Sequence, residues 1–298
     1  MHTNVKTALG IFLFIFFGFI ALWAPSEHFS HIIKTVNGSM PLLHYFKPEL
    51  FAVVLTPLLV ATGWRVWAGE SHWSSVWFNA GVPLGVVASS HSLIAVLNSA
   101  TSAEEAMNLV GESLLAIFYG GLVSLIGYLN LNADDIPIKR NSDSKLTKFF
   151  VLLLIYLIFG ASMHFSYNGI HLYVDYQPVA VSAALLSAFL LLNRDKSKSF
   201  CHLVCEAMVM ASLASVMIAV ISYNFYQGYE QVIGPIVAKG ILGISYCSFI
   251  IFLCATFFSE KDLRETNFDR INWHLLEISG LWVLMCFAPK SILEIFGG

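Results

Sequence analysis

The sequence predicts an all-α, polytopic membrane protein of about nine transmembrane helices, arranged as two parallel four-helix repeats plus a C-terminal helix. Three observations carry that prediction. Of 298 residues, 57% are hydrophobic and only 12% are charged, against about 25% charged in an ordinary soluble domain. Apolar runs of about 20 residues, the length that crosses a ~30 Å hydrocarbon core, recur from end to end. The order of segments in the first half also returns in the second. Backbone groups in lipid must be bonded within their own segment, and no alternating barrel strands are present, so the spans are helical.

The spans fall at residues 8–24, 49–67, 77–98, 109–131, 147–166, 177–193, 202–222, 232–257 and 273–289. The first follows Lys6 and ends before Pro25, as a secretory leader does, but no small-x-small cleavage site stands out and the run is kept as a membrane span. The next, KPELFAVVLTPLLVATGW from Lys47, parallels YQPVAVSAALLSAFLLLN from Tyr176 in the second half. The third contains SLIAV at 92–96, matched by VMIAV at 216–220. The fourth, LLAIFYGGLVSLIGYL around Tyr119, is matched by GPIVAKGILGISYCSFIIF around Tyr246. Four crossings return a chain to its starting side, so the halves lie parallel, unlike the inverted repeats of many transporters. Residues 1–131 form the first repeat, 132–146 a polar cytoplasmic linker, 147–258 the second repeat, and 259–298 a loop and terminal helix.

Orientation follows from the basic residues, because Lys and Arg are retained on the cytoplasmic side. With the N-terminus inside, Lys6, Arg65, Lys139, Arg140, Lys145, Lys148, Arg194, Lys196, Lys198, Lys261, Arg264 and Arg270 are internal, twelve of the sixteen. Lys34, Lys47 and Lys290 are external, and Lys239 falls within a span. Trp64, Trp67, Trp73 and Trp77 mark one inner boundary as an interfacial belt. The net charge of −3 offers no excess of base for nucleic acid. No phosphate loop or nucleophile elbow appears, which excludes the common soluble enzyme classes and implies no cofactor. Cys201, Cys205, Cys247, Cys254 and Cys286 suggest neither a metal site nor a disulfide framework by number or spacing, and read as small packing residues.

Ionisable residues inside the membrane are the most discriminating, since each costs at least ~2.5–3.5 kcal/mol at a helix centre. Superposing the halves on Tyr119 and Tyr246 sets Lys239 opposite Glu112, so the two form an expected ion pair between repeats. His91 sits among Ser89, Ser90 and Ser92 within one turn, and with Glu112 these residues are the candidates for a proton path. Membrane serines also bond to the carbonyl a turn back or to a neighbouring helix, which leaves a packing role open. Gly81, Gly85 and Gly120, with Tyr119 and Tyr246, are read as helix-packing residues.

The segment VASSHSLIAVLNSATSAEEAMNLVGESLLAIFYGGL resembles the membrane core of the MotA/TolQ/ExbB proton-channel family, where a helix with Gly-Thr precedes a short outer loop and a helix ending in Tyr-Gly. The segment GPIVAKGILGISY is similar, with Gly-Pro twelve residues before Tyr246. The resemblance covers residues 8–131 and, more weakly, 147–257. It implies a bacterial inner-membrane, oligomeric subunit that works with a single-pass MotB/ExbD/TolR-like partner supplying an acidic residue. Two positions depart from the pattern. The large cytoplasmic domain of the motility branch is replaced by residues 68–76, and Gly-Thr becomes His91-Ser92 and Ser215-Val216. Three function classes stand open at this point: a proton-channel subunit, a secondary transporter with a midplane site between repeats, and a non-conducting scaffold.

Overall fold

A computed structural model describes residues 47–68, 72–99, 103–131, 145–167, 175–192, 199–225 and 230–296, and these are almost wholly helical. Nine helices follow in order among the described residues: α1 (Pro48–Trp67), α2 (Trp73–Ser99), α3 (Ala103–Leu129), α4 (Lys145–Tyr167), α5 (Tyr176–Leu192), α6 (Phe200–Phe225), α7 (Glu230–Phe257), the short α8 (Glu260–Glu265) and α9 (Phe268–Phe296). The span expected at 8–24 and residues 132–144 of the linker lie outside the described residues.

The helices α1 and α4 to α7 end within three residues of the expected spans. The others run longer, because hydropathy marks only what crosses hydrocarbon while the backbone ladder continues beyond it. Thus α2 starts at Trp73, α3 at Ala103 ahead of two glutamates, and α9 at Phe268. The loop expected after residue 258 contains α8, which Ser259 caps by accepting the Asp262 amide at 3.3 Å.

Among the described residues, three helices are long and apolar enough to cross a membrane: Leu50–Trp67, Phe200–Ser222 and Ile236–Phe257. Apolar stretches of α3, α4 and α5 run over Ser113–Leu129, Leu146–Ala161 and Tyr176–Leu192. Equally long, α2 carries Asn79, Ser89, Ser90, His91 and Ser92 among its apolar residues. Its position compensates. Every residue from Asn79 to Ala95 is buried, so its polar side chains face protein and not the surroundings.

The bundle is organised around α2, which packs chiefly against α3 and α7 and is flanked by α1 and α9. A second set of contacts joins α6 to α5 and α7. On the outside, α4 leaves Phe149, Phe150, Leu152, Leu153, Leu154, Tyr156 and Leu157 exposed, and α6 leaves Met210, Leu213, Met217 and Ile221 exposed. Continuous apolar surface of that kind suits a lipid surround better than water.

Side-chain contacts define two ends of the bundle. The C-terminus of α1 meets that of α7, where Arg65 reaches the last carbonyls and Trp64 packs on Phe257 with ring centroids 5.1 Å apart. The ammonium of Lys148 lies over Trp64 at 5.7 Å, which brings the N-terminus of α4 to the same end. Phe200 of α6 stacks near Phe258 at 6.0 Å, and Asn272 of α9 donates to the Phe78 carbonyl at 3.1 Å. Lys47 and Lys239 belong to the opposite end, beside Tyr119 and Tyr246. The tryptophans do not all form a belt: Trp67 is exposed, but Trp64 is buried and Trp77 donates to Thr62 Oγ1 at 3.1 Å.

Candidate functional site

The α2–α3 seam is where sequence and geometry meet most closely. Gly81, Gly85 and Gly120 come together so tightly that the backbones touch. A Cβ at Gly85 would lie 2.7 Å from the Ala116 carbonyl, and one at Gly120 would lie 2.5 Å from the Gly81 carbonyl. Gly127 approaches Phe78 and Ser74 in the same way, whereas Gly121 faces open space. Apolar side chains give no preference between helix and lipid, so contact of this closeness supplies the van der Waals attraction that holds the pair.

Beside the glycines, Ser124 of α3 enters the hydrogen-bond ladder of α2. Its hydroxyl accepts the Val82 amide at 3.0 Å and approaches the Phe78 carbonyl at 2.9 Å as donor. Those two groups would otherwise bond to each other across one turn. Pro83 follows directly and removes the next donor, and Asn272 adds a second donor to Phe78. Sequence reading missed Ser124 and Asn272. The Gly81-x-Pro83 pair was the available signal.

Farther along α2, Ser89, Ser90, His91 and Ser92 are all buried, but they point to different neighbours. Ser90 donates to the Val86 carbonyl one turn back at 2.7 Å. Ser92 accepts from Ser113 of α3 at 2.8 Å. The His91 ring stands edge-on to Phe159 of α4, with centroids 5.9 Å apart and planes at 86°. The Ser89 hydroxyl has no hydrogen-bond partner among the described residues. Successive residues on an α-helix diverge by about 100°, which is why four neighbours in sequence meet different surroundings.

Tyr119 and Tyr246 occupy matching situations. The Tyr119 hydroxyl accepts the Lys47 amide at 2.9 Å, just before α1, and the Tyr246 hydroxyl accepts the Asp175 amide at 3.1 Å, just before α5. In each case a tyrosine of the third helix of a set ties down the start of the first.

Lys239 is held locally: its ammonium donates to Gln177 at 3.2 Å and lies 3.9 Å from the Asp175 carboxylate. The Glu112 side chain, the other half of the expected pair, lies outside the described residues. The Lys239 ammonium thus reaches the start of α5, as long cations near membrane boundaries do. Beside it is a cavity of about 380 Å³ bounded by Gln177, Pro178, Ser215, Ser222, Ile236 and Lys239.

Two further groups were not legible as sites. Arg65, counted in the sequence only as an inner charge, is completely buried and donates through Nη1 to the carbonyls of Thr256, at 3.3 Å, and Phe258. It thus neutralises the negative end of α7 from another helix. Of the cysteines, read from sequence as small packing residues, Cys201, Cys205 and Cys254 have their sulfurs within 4.8 Å of one another. The i, i+4 spacing of Cys201 and Cys205 places both on one helix face, but nothing local announces Cys254.

Between α6 and α9 runs a groove of about 780 Å³, apolar at Val209, Leu213 and Ile278 and polar where His202 pairs with Glu206 at 3.2 Å. Across it, Arg270 donates to His274 at 3.2 Å, and His274 contacts Glu277 at 3.0 Å. Comparison with known proteins finds no family model, no curated protein and no solved structure that matches this chain.

Proposed function

We propose that the chain is a multi-pass inner-membrane subunit made of two parallel helical repeats, with a layout similar to MotA/TolQ/ExbB proteins, that conducts protons together with a single-pass partner. The observation that carries the reading is the paired tyrosine tether. Tyr119 and Tyr246 each accept the backbone amide preceding a helix, 72 and 71 residues upstream. Parallel repeats generate that likeness directly, whereas inverted repeats would set the two tethers at opposite ends. Both tethers belong to the end remote from Arg65, Lys148 and Arg270, in keeping with an interior rich in basic residues.

In this reading α2 is the proton-handling helix. It is enclosed by α3 and α7, and His91 with the Ser92–Ser113 pair provides titratable and hydroxyl groups away from lipid. The partner supplies the carboxylate that completes the path. The test is proton flux into liposomes, read with a pH-sensitive dye, with the protein alone and with a co-purified single-pass partner. Flux that falls in His91→Ala supports conduction, and its persistence in that variant refutes the role of His91.

The cavity beside Lys239 favours a second reading, a transporter for a small anionic solute. Lys239, Gln177 and Ser222 offer a cation and two neutral polar groups around it. Proton flux that appears only with added solute and is lost in Lys239→Met selects this reading. Absence of both fluxes selects a scaffold.

A further inference from the structure

We propose that Cys201, Cys205 and Cys254 form a binding site for a thiophilic monovalent metal ion of the copper(I) class, at the end of the bundle where α6 begins and α7 finishes. The site is separate from the Ser/His row and does not depend on proton transport.

Geometry is the first argument. Three sulfurs around one ion at metal–sulfur bonds of about 2.3 Å, the value for zinc, form a triangle with edges of roughly 4.0 Å. The three sulfurs here already lie within 4.8 Å of each other, so a contraction of less than about 1 Å closes the triangle, within reach of small side-chain rotations. The protein has brought three thiols from two helices to metal-binding separation before any metal arrives.

Ligand number selects the ion. A structural zinc site takes four protein ligands in a tetrahedron. Among the described residues the group holds three sulfurs and no fourth histidine, cysteine or carboxylate. Soft thiolates in a set of three suit copper(I), which needs no fourth donor. Each thiol that becomes a ligand releases its proton to solvent as the metal–sulfur bond forms, and no atom changes oxidation state.

The surroundings fit an anionic sulfur set. Cys201 lies in the first turn of α6, where the positive end of the helix favours thiolate. Arg65 brings a buried positive charge to the same last turn of α7 that carries Cys254. Cys201 and Cys205 are fully buried and Cys254 is 4% exposed. The short α8 packs against α6 at this end of the bundle, and the buried Thr266 that follows it donates its hydroxyl to the Asp262 carbonyl at 2.7 Å.

The competing account is that three thiols merely fill a helix crossing. Copper(I) titrated into the full chain in detergent, under reductant and against a chromophoric copper(I) chelator, separates the two. The expected result is one ion per chain and an X-ray absorption spectrum with a sulfur-only shell. Cys205→Ser and Cys254→Ser should weaken binding by about 100-fold or more, beyond the ~10–100-fold cost of losing a mere outer partner. Cys247→Ser, outside the group, should leave it unchanged. The proposal is overturned by absence of binding, by nitrogen or oxygen ligands in the wild-type spectrum, by undiminished binding in both variants, or by a disulfide joining two of the three in protein isolated with thiols blocked. The wild-type spectrum keeps the test decisive even where a variant fails to fold.

Discussion

Gly120 and Gly121 are adjacent on α3 yet meet opposite surroundings, which makes them a matched pair. Replacing either with Ala adds the same methyl group and the same gain in helix propensity, about 1 kcal/mol. At Gly121 the methyl enters open space. At Gly120 it would lie 2.5 Å from the Gly81 carbonyl and 2.7 Å from the Gly85 Cα. Ordinary contact begins near 3.4 Å, so α2 and α3 must separate locally by 0.9 Å, the difference between 3.4 and 2.5. A gap of 0.5–1 Å forfeits roughly a quarter to a half of each atom pair's attraction, and overpacking in well-filled interiors costs about 1–3 kcal/mol. Both obstructing atoms are backbone, so no rotamer relieves the clash. The propensity gain cancels between the variants, and Gly120→Ala is expected to be about 1–3 kcal/mol less stable than Gly121→Ala. Thermal unfolding of the purified protein in detergent, followed by reaction of the buried cysteines with a thiol-sensitive dye, measures the difference. Equal midpoints for the two variants would falsify the close α2–α3 contact.

Arg65→Met removes charge-assisted bonds worth about 1.5–3 kcal/mol each, partly offset by relief of guanidinium desolvation, so a loss of about 2–4 kcal/mol is expected in the same assay. A loss below about 1 kcal/mol would rule out its role as the buried cap of α7. Tyr119→Phe and Tyr246→Phe should each cost about 1 kcal/mol and by similar amounts, as matched neutral hydrogen bonds do; strongly unequal losses would count against the repeat. A double-mutant cycle between Lys239→Met and Asp175→Asn should give a coupling below about 1 kcal/mol, as suits a half-exposed pair. A larger coupling of Lys239→Met with Glu112→Gln would instead restore the pairing drawn from sequence superposition.

Hydropathy located the apolar middles of α1 to α7 well, because the requirement to bury backbone groups in a ~30 Å layer acts on any window of about 20 residues. It was blind to the polar extensions, such as the Asp269 to Asn272 turn of α9, which are helical without being apolar. Gly81, Gly85 and Gly120 could be singled out by type alone. Partners were harder: Ser92 meets Ser113 across 21 residues and Arg65 meets Phe258 across 193. Such meetings depend on which helices become neighbours, a three-dimensional outcome that no spacing rule encodes. Cys254 joined Cys201 and Cys205 for the same reason.

The bond made by Ser124 also bears on how the chain is made. Until α3 arrives, the Val82 amide and the Phe78 carbonyl have only each other across one turn, and the Ser124, Ser92–Ser113 and glycine contacts of the seam are all unmade. Polar side chains left unpaired in hydrocarbon cost several kcal/mol, and α2 carries Asn79, His91 and a run of serines. During synthesis α2 is therefore a poor candidate to enter lipid alone. It is expected to wait in the insertion machinery and leave with α3 as a hairpin, so that residues 73–129 behave as one unit of biogenesis.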